Sequence, residues 1–170
     1  MKPPIRILLV DDQYVVRMGL AAILQMDPDI SLVAEADDAE RALEEFRKHR
    51  PDVTLMDIRM PGVSGVEATR RIRAEFPEAR VVMLTTSDGD ETIFQAVKAG
   101  TSGYLLKNAP GDELIAAIRQ VHAGERYLPR AVASRLAERN PDASLTPREL
   151  EVLELLTKGH QSRDRRTPRL

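Results

Sequence analysis

Four short apolar runs end on residues able to do charge chemistry. Residues 5–10 run into Asp11 and Asp12, residues 53–57 end on Asp57, residues 81–84 run into Thr85, and residues 103–106 run into Lys107. Carboxylates without thiols or paired histidines select a hard cation, and Mg2+ binds through one or two of them while keeping waters for a phosphate oxygen to displace. The chain has no cysteine, so any metal must be held by oxygen or histidine ligands. Like charges brought together raise one another's pKa values unless a cation offsets them. Beside Mg2+, Asp57 would stay ionised as a nucleophile toward phosphorus. Lys107 would neutralise oxygens of the transferring group, and the Thr85 hydroxyl would hydrogen-bond the product. The inventory is that of an aspartyl-phosphate site.

Such residues act together only if the chain brings the ends of the runs to one edge. Each run is too short for a helix and reads as a strand; residues 30–36 form a fifth, with a weaker signal. Between them lie helical patterns. One covers residues 14–25, with Val15, Val16, Gly19, Ala22 and Ile23 expected to face inward, and stops at Asp27-Pro28. A second is capped by Asp37 or Asp38 and turns in Ala39, Ala42, Leu43 and Phe46. A third is capped by Ser64 after the Pro61-Gly62 turn, a fourth turns in Ile93, Phe94 and Val97, and a fifth starts near Gly111. Alternating strands and helices predict an α/β fold of flavodoxin-like, doubly wound type, a five-stranded parallel sheet with helices on both faces. In such sheets ligands sit beyond the carboxyl ends of the strands, where strand order reverses. Asp11, Asp12, Asp57, Thr85 and Lys107 all lie there.

A chain of 170 residues has room for one domain and a small appendage. No apolar run approaches the length needed to span a bilayer, and the N-terminus lacks a signal peptide's apolar core, so a cytoplasmic protein without membrane contact is expected. The net charge of −2 divides into an acidic portion up to residue 124 and a mildly basic remainder. That asymmetry suits a regulatory domain joined to something that meets nucleic acid.

With these residues in place, residues 5–123 resemble a bacterial response-regulator receiver domain. The Asp11-Asp12 pair, Asp57 within Leu-Met-Asp-Ile-Arg-Met-Pro-Gly, Thr85, and Lys107 after Gly-Tyr-Leu-Leu stand in that family's order and spacing. The resemblance implies that Asp57 is the phosphoacceptor and that Asp12, Asp57 and the Arg59 carbonyl hold Mg2+, with Asp11 acting largely through water. It implies a switch pair, Thr85 and Tyr104, and a sensor histidine kinase as phosphodonor, with homodimer formation on phosphorylation. The chain departs from many receivers after Lys107, where Asn108 stands in place of proline. Residues 145–159, opening Leu-Thr-Pro-Arg-Glu, resemble the first helix of a LuxR-type helix-turn-helix domain. That resemblance breaks off at His160, too early for a recognition helix. The expected organisation is a receiver over residues 1–124, a helical linker over 125–144 with a helix from Leu128, and an incomplete LuxR-type segment with a disordered basic tail over 145–170. The parent is similar to NarL/FixJ-type transcription regulators that bind DNA, while this chain is expected to lack the DNA reader.

Two other classes are compatible with parts of the pattern. A phosphohydrolase with an aspartyl-phosphate intermediate would want a second acid two residues beyond the nucleophile, and Arg59 stands there. A flavodoxin-like cofactor binder is disfavoured for dinucleotides, because no Gly-x-Gly-x-x-Gly follows the first strand. A stand-alone receiver working through protein contacts is the remaining alternative to a transcriptional one.

Overall fold

The computed structural model describes residues 2–86, 90–130 and 132–134. Five strands alternate with five helices: β1 (Ile5–Val10), α1 (Tyr14–Gln25), β2 (Ile30–Ala36), α2 (Ala39–His49), β3 (Val53–Asp57), α3 (Gly65–Glu75), β4 (Val81–Thr85), α4 (Asp90–Lys98), β5 (Gly103–Leu106) and α5 (Gly111–His122). All strand pairs are parallel, in the order β2-β1-β3-β4-β5. Strand order therefore reverses between β1 and β3, which opens a crevice beyond their carboxyl ends.

Alternation along the strands separates two apolar layers. Leu8, Val10, Met56, Met83 and Tyr104 pack with α2, α3 and α4, whereas Ile7, Leu9, Leu55, Val82, Leu84 and Leu105 pack with α1 and α5. Both faces of the sheet are covered, which is why β3 and β4 are buried at every position. The expected caps hold: Asp38 accepts from Arg41 N at 2.7 Å, and Ser64 accepts from Glu67 N at 3.2 Å.

The inward face of α1 differs from expectation. Leu20 and Leu24 are its buried residues, with Val16, Ala21 and Ile23 partly covered, while Val15 is 80% exposed and Gly19 and Ala22 are also outside. The helix is apolar nearly all round, so several stripes of spacing three and four can be drawn, and only the packing partner selects one. In α5 the buried residues are Leu114, Ala117, Ile118 and Val121, and His122 is exposed. After α5 the chain is helical at Arg130 and at residues 132–134. Leu128, two positions earlier, is non-helical and packs on the core. The linker helix thus starts later than its apolar spacing suggested. Expectations for residues 135–170 fall outside the described residues.

Candidate functional site at the carboxyl edge of the sheet

Strand register delivers the side chains. Val10 pairs with Met56, Asp57 with Leu84, and Thr85 with Leu106, so Asp11, Asp57 and Lys107 all fall at one edge. Their alternation places these three on the α1/α5 side. Thr85 and Tyr104 belong to the opposite parity, on the α2–α4 side. The lysine is tied to its place by its own backbone, Lys107 N donating to Thr85 O at 2.7 Å.

Asp11 is fully buried, and Asp57 and Thr85 nearly so. The Lys107 ammonium lies 2.7 Å from Asp11 Oδ2 and 3.2 Å from Asp57 Oδ1, with the lysine side chain itself only 8% exposed. Two backbone donors steady the carboxylates: Gln13 N to Asp11 Oδ1 at 2.8 Å and Arg59 N to Asp57 Oδ1 at 3.2 Å. Asp11 Oδ2 meets Lys107 as an ion pair whose angle is poor for a hydrogen bond, and this buried oxygen has no other partner. Asp12 completes the group: one oxygen from each of Asp11, Asp12 and Asp57 lies within 4.8 Å of the others.

Three carboxylates thus converge, one ammonium meets two of them, and charge is undercompensated. The Asp57 carboxyl is pushed up to about 6, first by its burial and then by the negative charge of Asp11, with Lys107 pulling the other way. A hard-oxygen donor set carrying more negative charge than one lysine offsets fits a small divalent cation. Asp11, Asp12 and Asp57 are the residues able to hold it. Arg59 is exposed between the buried Ile58 and Met60, and the positive φ of Gly62 (77°) turns the chain after β3.

Every residue expected at the site from sequence lies on or beside this edge except Tyr104, which is fully buried on β5 two residues before its end. Two contributors escaped the sequence reading. Arg17, one turn into α1, donates from Nη1 to the Asp11 carbonyl at 2.6 Å and approaches Glu35 at 3.4 Å. Gly65 begins α3 with its N–H on Ile58 O at 2.9 Å, and a Cβ there would overlap the Asp57 carbonyl oxygen. The signal for Gly65 was available: a glycine placed directly after a capping serine, in a first helical turn that does not need one, marks a close backbone approach.

Comparison with known proteins places the same features in context. A family model described as the response regulator receiver domain matches residues 7–119. The oxygen regulatory protein NreC of Staphylococcus epidermidis is 37% identical over 174 residues, covering 94% of this chain and 80% of that protein. Among solved structures, a LuxR-family two-component response regulator from Aurantimonas sp. is 38% identical with a TM-score of 0.75, covering 79% of this chain and 96% of that one. The response regulator ChrA of a heme-sensing two-component system is 40% identical with a TM-score of 0.68, covering 93% of this chain and 77% of that one.

Proposed function

The chain belongs to the response regulator family, with a receiver domain of the NarL/NreC type, and from that premise we propose that Asp57 is the carboxylate that accepts a phosphoryl group from a sensor histidine kinase. Asp57 Oδ attacks phosphorus as the bond to the kinase's leaving group breaks. The observation that carries the assignment is the ion-paired triad of Lys107 with Asp11 and Asp57 at the reversal point of the sheet, where three carboxylates meet. A Mg2+ ion held by Asp11, Asp12, Asp57 and the Arg59 carbonyl, with Asp11 acting through water, would supply positive charge against the phosphoryl oxygens.

The chain's own residues do the rest. Lys107 already bridges two of the three acids, so its ammonium stands ready to follow charge as it moves from carboxylate to phosphoryl oxygen. Gln13 N and Arg59 N fix the two carboxylates so that one Asp57 oxygen is held while the other is left to react. Thr85 closes on the product phosphoryl, and Tyr104, on the same face of the neighbouring strand, answers by repacking. The outcome is altered contact with other chains, with homodimer formation strengthened.

Regulators of this type are not enzymes in their own right. The finer expectation is self-phosphorylation from small phosphodonors and slow autodephosphorylation. We further assign residues 1–124 to the receiver, 125–144 to a linker and 145–170 to a LuxR-type segment. No described helix is long and apolar enough to cross a membrane, consistent with a cytoplasmic site of action.

Incubated with a small phosphodonor and Mg2+, the chain gains one acid-labile phosphoryl group, and Asp57→Asn gains none. Equal labelling of that variant contradicts the assignment.

A further inference from the structure

β5 is an edge strand, and its outer backbone groups would be open to any other strand. The chain itself closes that edge. Gly124, at a φ of 91°, ends α5 with its N–H on Val121 O, and Glu125 N reaches Gln120 O at 3.1 Å, turning the chain back. Tyr127 then makes a single parallel bridge to Gly103: Tyr127 N donates to Ser102 O at 3.1 Å, and Tyr104 N donates to Tyr127 O at 3.0 Å. Gly103 permits the approach, since a Cβ there would stand 3.1 Å from Tyr127 O.

The segment also wraps the edge. The Tyr127 ring packs with the α1/α5 layer, and its hydroxyl donates to Glu113 Oε1 at 2.9 Å. Leu128 and the buried Val132 join the opposite layer, the one that contains Tyr104. The residue read as half of the switch pair therefore meets this segment twice, through its backbone N–H and through a shared apolar layer.

We propose that residues 125–130 and 132–134 form a latch seated on the β5 edge by Tyr127, Leu128 and Val132, and that the state of the acidic site passes to this latch through Tyr104. The coupling rests on the reading of Asp57, Thr85 and Tyr104 given above; the latch itself does not. When Tyr104 repacks, its N–H and its apolar neighbours shift together, and the seat of Tyr127 and Val132 is loosened or tightened with them.

Amide hydrogen exchange on the full chain tests both parts. In the unmodified protein the Tyr104 and Tyr127 amides are protected. Val132→Asp speeds exchange at both by about tenfold or more, as expected when a local unit opens. The milder Tyr127→Phe, which removes the bond to Glu113, speeds it by about fivefold. Unchanged exchange in both variants overturns the latch. With Mg2+ and beryllofluoride as a phosphoryl mimic, exchange at Tyr127, Val132 and Ala133 shifts by about tenfold in the wild type and not in Asp57→Asn. A response at the amides around Asp57 and Thr85, with the latch amides unmoved, overturns the coupling while leaving the function standing. No response at either place overturns the reading of the acidic site and the coupling with it, and the variant measurements still decide the latch.

Discussion

The two ends of the sheet handle charge in opposite ways. At the amino end, charged groups are near the surface and matched: Asp52 accepts from Arg6 N at 2.9 Å, Arg80 reaches the His122 carbonyl at 2.6 Å, and Arg119 of α5 spans Asp27 at 2.7 Å and Asp29 at 3.3 Å. The backbone N–H of Asp29 and the Arg119 guanidinium hold the Asp27 carboxyl below its usual range. At the carboxyl end, Asp11 and Asp57 are buried and share the single ammonium of Lys107, and Asp57 is shifted upward. Folding alone favours the first arrangement. Burial of acids in excess of their counter-charge costs stability and is retained where a ligand completes the site.

The largest effect expected from breaking this contrast comes from the backbone that frames the carboxyl end. Gly65→Val forces a side chain into the Asp57 carbonyl and should lower unfolding stability by about 3 kcal/mol or more. Denaturant titration measures it, and a loss below about 1 kcal/mol would mean that α3 and β3 can part freely.

Next is the counter-charge. Lys107→Ala leaves Asp11 and Asp57 facing each other and should cost about 2–4 kcal/mol at neutral pH, together with loss of phosphoryl labelling. Lowering the pH should recover part of that stability, since protonation removes the repulsion. A variant as stable as the wild type at pH 7.5 would show that the acids are already screened.

Asp57 itself carries a pH signature. Its folded value near 6 lies above the unfolded 3.8, so folding favours the protonated form. The stability this contributes is complete below about pH 3.8 and disappears as pH rises through about 6. Asp57→Asn should therefore be more stable than the wild type above pH 6, by about 1–3 kcal/mol, with the difference closing toward pH 4. Denaturant midpoints across that range provide the check, and a variant less stable at every pH would reverse the sign of the argument.

The smallest effect belongs to the amino end. Arg119→Ala removes an exposed pair, and its unfolding midpoint should stay within error of the wild type at moderate salt. A clear loss would erase the distinction between the two ends.

The carboxyl end was legible in the sequence because its charged residues stand at the ends of short, mostly apolar runs, and a run buried on both faces can end only at an edge. The same physics made both layers of the sheet readable. The inward stripe of α1 was not, because the exposed Val15 and Met18 are as apolar as the residues it buries. Arg17 gave no signal, since a long polar side chain on a helix can reach solvent or a carbonyl equally well. The Tyr127 bridge was hidden for a different reason: one residue of pairing has no alternation, and Leu128, Val132 and Leu136 at spacing four read as a helix that begins too early.

Titration of the Asp57 carboxyl carbon by NMR, without and with Mg2+, tests most directly whether the carboxyl end is an undercompensated site built to be completed. The account predicts a pKa near 6 in the absence of metal and a marked fall when Mg2+ is added, with Asp12→Ala weakening the fall. A carboxyl that titrates near 3.8 and ignores Mg2+ would contradict it.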